Sequence, residues 1–321
     1  MWLKHPKFQS AINELISELK GRGGNESPEA RNWRQSLFGK ESPPKIVFIC
    51  GGDPILCSNR LQIEQYIKRH SENLVTFRAE YAWETMVELK SSINALALEE
   101  WLADFSDVVL ILVESFGTAA ELGAFSAGMP LRKKLLPILD KHYEPDESFI
   151  NTGPVRWVNN DSGYGPCIYA NFDCILTSMP EVLARIDYKR PKFYTARRDD
   201  NTYGDLKLNH KELLFIIILI VTSIGPITES VIEHVCKEAF NIKGKNEIQD
   251  IRFIISLTVA LEVVDKKSNC GEVYYFCKNH ENLKNNKAMH ALLRKSQDIR
   301  SRCLSHLVYI EEFNKFLSEV A

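Results

Sequence analysis

FSDVVLILVESFGTAAELGAFSAGMPLRKK, residues 105–134, reads as a buried strand, a glycine turn carrying acids, and the start of a helix. The apolar run Val108–Val113 is rich in β-branched residues, which suits a central strand of a parallel sheet covered on both faces. Thr118 is placed to cap the helix that follows, with Glu121 in its first turn. Working outward, Ile46–Cys50 is a second apolar strand, followed at once by Gly51-Gly52-Asp53. That turn lets backbone approach a ligand closely and presents one acid. Val75–Phe77 is a short strand leading to Arg78, Glu80 and Tyr81, and Leu135–Leu139 is a further one. Helical spacing appears at Leu61–His70 and again through Ile93, Leu96, Leu98, Trp101 and Leu102. Strands alternating with helices predict an α/β parallel sheet flanked by helices, with ligand-binding crevices at the carboxyl ends of the strands.

The 321 residues, 45% hydrophobic and 26% charged, suffice for two domains. A net charge of -2 excludes a uniformly basic nucleic-acid binder and leaves local patches to be sought. The eight cysteines contain no Cys-x-x-Cys pair, and no export signal precedes them, so reduced thiols in a cytoplasmic protein are expected, with no metal site. The apolar run Leu213–Val221 is far shorter than a membrane span needs and reads as a core helix, so no membrane contact is expected.

Phe8, Ile12, Leu15, Ile16 and Leu19 recur at helical spacing before Gly21, so residues 1–44 are read as an amphipathic helix and a loose connection. That helix docks either on the body of the protein or on another subunit. Residues 45–180 form the sheet domain. Residues 181–207 form a basic linker in which Arg185, Lys189, Arg190, Lys192, Arg197 and Arg198 are interleaved with aromatics. In residues 208–321, Leu208–Ser223, Thr228–Phe240 and Asn246–Leu261 read as helices, and Glu262–Cys277 as a hairpin turning around 266–271. Three helices and a hairpin predict a winged helix-turn-helix, followed by a C-terminal helical segment, Asn282–Val320. Arg190, Lys192, Arg197 and Arg198 of the linker, with Lys245, Arg252, Lys266 and Lys267 near the recognition helix and wing, are the candidate nucleic-acid contacts. The balance over 206–321 is only sixteen Lys or Arg against fourteen Asp or Glu, so protein docking competes with DNA binding for this domain.

Two physical accounts compete for Glu121. Thr118 to Glu121 fits a capping box, in which the acid merely returns a hydrogen bond to backbone. Alternatively, a carboxylate at a helix N-terminus is held ionised and can attack a sugar C1′ as its base leaves. Such chemistry wants a second acid, and Asp53, Glu80 and Glu114 all follow predicted strands, although each has a bland reading as a cap or solvated charge. Arg132, with Lys133 and Lys134, could meet a substrate phosphate or form a solvated face. Asn151 and Arg156 could complete a site from their loop or simply pack it.

Four motifs together resemble the effector proteins of type II retrons: ICGGD at 49–53, ESFGTAAELGAF at 114–125, LRKK at 131–134 and SFINTGPVR at 148–156. Those proteins join a nucleoside deoxyribosyltransferase-like domain to a DNA-binding winged-helix domain. The resemblance covers most of residues 45–156 and implies that Glu121 is the nucleophile. It also implies that Asp53 and Glu80 bind the sugar or assist the leaving base, and that Gly51, Gly52, Glu114, Ser115, Gly117, Thr118, Arg132 and Asn151 line the substrate. The ordinary transferase has a Tyr-containing first-strand motif where this chain has Cys50-Gly51-Gly52-Asp53.

What the resemblance implies is an antiphage toxin that cleaves an N-glycosidic bond of a nucleotide, with NAD a substrate rather than a resident cofactor. It also implies control by a reverse transcriptase and its msDNA, in a homo-oligomer or higher-order assembly. The rival is a nucleotide-sensing DNA-binding regulator without turnover, which an apolar or blocked crevice would favour.

Overall fold

The computed structural model describes residues 2–21, 37–53, 57–80, 99, 101–103, 105–188, 203–205, 208–277 and 286–320. Most of the basic linker, Tyr81 and the apolar positions 93–98 lie outside them. The chain separates into two compact units, Pro44–Arg198 and Met1–Pro43 with Asp199–Ala321.

Helix α1 (Pro6–Lys20) precedes β1 (Lys45–Cys50), α2 (Asn59–His70), β2 (Leu74–Phe77), β3 (Val108–Val113), α3 (Phe116–Ala127), α4 (Met129–Arg132) and β4 (Leu135–Asp140). A π-helical turn at Asn151–Val155 runs into α5 (Arg156–Asp161), and β5 (Ile168–Ala170) and α6 (Met179–Tyr188) follow. The five strands make one sheet in the order β2-β1-β3-β4-β5, and every pairing is parallel. Five of the six β3 residues are buried, as a strand covered on both faces requires. One face packs Val47, Ile49, Leu110 and Leu112 with Ile63 and Ile67 of α2 and Met179 and Val182 of α6. The edge strand β5 escapes periodicity because three residues are too few to show alternation.

This order reverses direction between β1 and β3, and crevices open at the carboxyl ends of such a pair. Register fixes what meets there. Cys50 lies opposite Ile111, so β3 runs two residues beyond β1 and the Gly51-Gly52 turn comes level with the start of the Glu114 turn.

The second unit contains α7 (His210–Ile224), β6 (Ile227–Thr228), α8 (Glu229–Phe240), α9 (Lys245–Ala260), β7 (Asp265–Asn269), β8 (Glu272–Phe276), α10 (Lys287–Leu307) and α11 (Glu311–Val320). Helix α7 buries twelve consecutive residues, Leu213 to Ile224, so it is surrounded on all sides as an apolar-all-round helix must be. Among the described residues no helix is long and apolar enough to cross a membrane. Strands β6, β8 and β7 form an antiparallel sheet in that order. The hairpin is tighter than its polar run suggests: Lys266, Lys267 and Ser268 pair within β7, and only Cys270 and Gly271 turn. Both take positive φ, 50° and 81°, as a two-residue turn matched to strand twist requires. The expected single C-terminal helix is two, separated at Val308–Ile310, where Asn314 Nδ2 donates to the Val308 carbonyl at 2.7 Å. Helix α1 packs on α10 and α8, and the Trp2 ring meets that of Tyr274 of β8 at 4.9 Å between centres, tilted by 33°.

Candidate active site

Helix α3 begins differently from the expectation. Its N-cap is Ser115, whose Oγ accepts from Thr118 N at 3.2 Å, while Thr118 Oγ1 accepts from Ser115 N at 3.0 Å and Glu114 N at 3.1 Å. The capping box therefore joins Ser115 to Thr118. Glu121, sixth in the helix, is neither its acid nor in the first turn, because Ser115, three residues earlier, offers an extended backbone and a hydroxyl in cap position. The helix dipole fades beyond the first turn, so it does not hold Glu121 ionised.

Burial instead pushes the Glu121 carboxyl up to about 7, and repulsion from Glu99 and Glu80 adds to it. A hydrogen bond from the Cys50 thiol and the Arg60 charge act the other way. Oε2 of Glu121 is buried without a hydrogen-bond partner among the described residues. Burial also raises the Cys50 thiol well above its usual range, with Glu121 contributing. Glu99 is raised too, first by burial and then by Glu80. A desolvated, poised carboxyl with further acids around it is the electrostatic pattern of a general acid, base or nucleophile.

The strand-end turns fasten to each other across the crevice. Gly52 N donates to Glu114 Oε1 at 2.9 Å, and Asn59 Nδ2 to Oε2 at 3.3 Å, so the Glu114 carboxylate ties the β1 turn and the start of α2 to β3. A Cβ on Gly52 would stand 2.7 Å from Cys57 Sγ, and one on Gly51 2.7 Å from Arg60 Cδ. Gly117 is different: a Cβ there would meet only Ser115 Oγ at 3.7 Å, so no close contact within the protein demands the glycine. Asp53 is exposed, its carbonyl accepts from Cys57 N at 2.7 Å, and its charge acts on Cys57. Glu80 ion-pairs with the buried Arg60 at 2.5 Å. Glu80 and Glu121 thus share one electrostatic environment.

Arg132 and Asn151 serve their surroundings. Arg132 Nη1 meets Asp161 Oδ2 at 2.9 Å with the Trp157 ring 4.9 Å away, and Lys134 is buried, so LRKK is not a solvated face. Asn151 Nδ2 donates to the carbonyls of Tyr143 and Asp146, each at 2.8 Å, and its Oδ1 accepts from Tyr169 at 3.1 Å. Residues Tyr143–Asn151 are pinned by this one side chain.

In the second unit, Arg252 of α9 is held by Glu233 at 2.7 Å and Glu229 at 3.0 Å. Lys267 reaches Glu319 at 3.5 Å and lies over the Phe316 ring. Lys245 is exposed at the first residue of α9, and Lys266 is half-buried on β7. Arg190, Lys192, Arg197 and Arg198 lie outside the described residues. Arg60, Glu99 and Cys50 escaped residue-level reasoning. A buried arginine and an acid inside a helical run look like surface charges until the fold turns them inward.

Residues 56–266 match the family model described as STM3845 retron effector protein. Over 111 residues, 34% of the chain, it is 37% identical to a ribosyltransferase/DNA-binding protein, so named, of retron Ec86 from Escherichia coli. Over 125 residues it is 32% identical to the protein of the same description from retron Ec73 of that organism. The matches span 36% and 39% of those relatives' own lengths.

Proposed function

The chain belongs to the STM3845 retron effector protein family, and from that membership we propose an antiphage effector whose sheet unit cleaves the N-glycosidic bond of a nucleotide with Glu121 as nucleophile. The observation that carries this reading is the desolvated Glu121 carboxyl among Cys50, Arg60, Glu80 and Glu99 at the carboxyl end of the sheet. Attack by Glu121 on C1′ forms a C1′–O bond as the C1′–N bond breaks and the electron pair leaves with the base; water then opens the glycosyl ester. Asp53 and Glu80 hold the sugar or assist the leaving base, and Glu99, also raised, is a second proton source. Thr118 N is taken up by the Ser115 cap, but the open space at Gly117 lets ligand oxygens approach the first turn of α3.

NAD suits this site as substrate on charge grounds. Among the described residues three carboxyl groups, Glu80, Glu99 and Glu121, stand with one guanidinium, Arg60, and a pyridinium base is cationic before cleavage and leaves neutral without an added proton. The crevice is acidic rather than apolar, which favours turnover over the sensor reading.

For the second unit, the order helix, strand, helix, helix, hairpin and the sheet order β6-β8-β7 support a winged helix. Its reading as a docking module for the reverse transcriptase and msDNA draws on the retron names of the relatives. Arg252 and Lys267 are already engaged by acids, which favours protein contacts at that face.

The test is to incubate the purified protein, with and without reverse transcriptase–msDNA, with NAD and a panel of nucleosides and to assay free base. We expect release from NAD in the complex and its loss, by at least a hundredfold, in Glu121→Gln. Undiminished release from Glu121→Gln would end the assignment.

A further inference from the structure

Arg60 is placed where stability alone would not put it. Its side chain is 3% exposed, on the second residue of α2, the helix end whose dipole disfavours a cation. Ser58, the N-cap, makes no side-chain capping bond to relieve that end. The backbone makes room for it, since any residue but glycine at 51 would drive a Cβ to 2.7 Å from Arg60 Cδ and 2.9 Å from its Cβ. Arg60 Nε is buried without a hydrogen-bond partner among the described residues. Its ion pair reaches out to Glu80, whose side chain is 51% exposed. One helical turn on, Glu64 pairs with Arg78 at 3.2 Å and Lys68 at 3.0 Å, so two crossed bridges fasten the Arg78–Glu80 segment to α2. Burying a guanidinium behind a half-exposed partner is a poor source of stability, and breaches of local preference concentrate at functional sites.

We infer that Arg60 is a positioning residue of the reaction proposed above: it fixes Glu80 at the crevice wall and supplies the positive charge against which Glu121 acts as a carboxylate. Among the described residues, the groups that act on Glu121 are Cys50 from β1, Arg60 from α2, Glu80 beyond β2, and Glu99. Two of these are acids that oppose its ionisation, and Arg60 is the cation that favours it. The glycine at 51 follows from the same arrangement, as the cradle in which the arginine stem lies.

The inference rests on Glu121 being the reacting carboxylate, so its test reads titration and not turnover. The pH at which Glu121 titrates is obtained from the difference in unfolding free energy between a parent chain and its Glu121→Gln counterpart between pH 4 and 9. With Arg60→Gln as parent, the midpoint is expected to rise by about one pH unit or more. Glu99→Gln should lower it, and Arg60→Lys, which keeps the charge, should leave it near the original value. Should Arg60→Gln fail to fold, Gly51→Ala displaces the arginine without removing it and should raise the midpoint in the same direction. An unchanged midpoint in a folded Arg60→Gln or Gly51→Ala chain overturns the inference. Absence of base release from the unaltered protein with its partner would count against the proposed reaction alone.

Discussion

At Glu121 the environment that favours chemistry works against stability, and the sign can be worked out. Its carboxyl is raised from an ordinary value near 4.5 to about 7 by burial, aided by Glu99. The folded chain therefore holds this proton more tightly than the unfolded chain. Its contribution is fully present below about pH 4.5 and is lost as pH rises through about 7. Glu121→Gln keeps a neutral, hydrogen-bonding side chain, so the variant should melt higher than the parent at pH 8 and near it at pH 4.5. The difference is on the order of 2 kcal/mol after allowing for partial exposure. Thermal unfolding across that range checks it, and equal melting temperatures at pH 8 would contradict the burial described. The GTAAELG turn singled out Glu121 as a candidate. The turn does not show that its proton affinity rises, because that comes first from burial and then from Glu99, and both arise only when the chain folds.

The start of α3 offers a test at the level of the element. Thr118 Oγ1 accepts from two backbone N–H groups, Glu114 N and Ser115 N. Thr118→Val keeps the shape but takes the acceptor from Ser115 N, while Glu114 N still donates to the Leu112 carbonyl at 3.0 Å, so the cost is about 1–3 kcal/mol and the melting temperature of the sheet unit falls by several degrees. Gly117→Ala should do the reverse. Its Cβ meets only Ser115 Oγ at 3.7 Å, and alanine is the better helix former by about 1 kcal/mol, so stability holds or improves. Base release should nevertheless fall, since the methyl obstructs ligand approach to the first turn of α3. A Gly117→Ala chain with full turnover would remove that ligand from the helix end. The strand, turn and helix were legible from composition, but the cap was misassigned by three residues. Ser115 and Thr118 are both good caps, and only the backbone conformation decides between them.

On the scale of the molecule, α1 belongs to the unit it precedes by nearly two hundred residues. Phe8, Ala11, Ile12, Leu15, Ile16 and Leu19 are all buried in that unit. At roughly 1.5–3 kcal/mol for each large apolar side chain, removing α1 costs on the order of 10 kcal/mol, comparable to the whole stability of a domain. A chain beginning at Pro44 should keep a folded sheet unit and lose cooperative unfolding of the second. Retained cooperative melting of both units would show that the helix is dispensable. The apolar face of α1 is consumed internally, so any docking by this helix must use its exposed side.

Local pattern determined the parallel strands β1 to β4, the helices and hairpin of the second unit, and the acid-bearing turns, because burial on both faces and helical spacing leave periodic marks along the chain. Tertiary structure alone decided which strand ends meet, that β3 outruns β1 so Glu114 reaches Gly52, that Arg60 and Glu99 join Glu121, and that α1 crosses to the second unit. The reason is that these outcomes are sums over groups far apart in sequence. Sheet register, burial of charge and the electrostatic field at a carboxyl exist only once the chain has closed on itself.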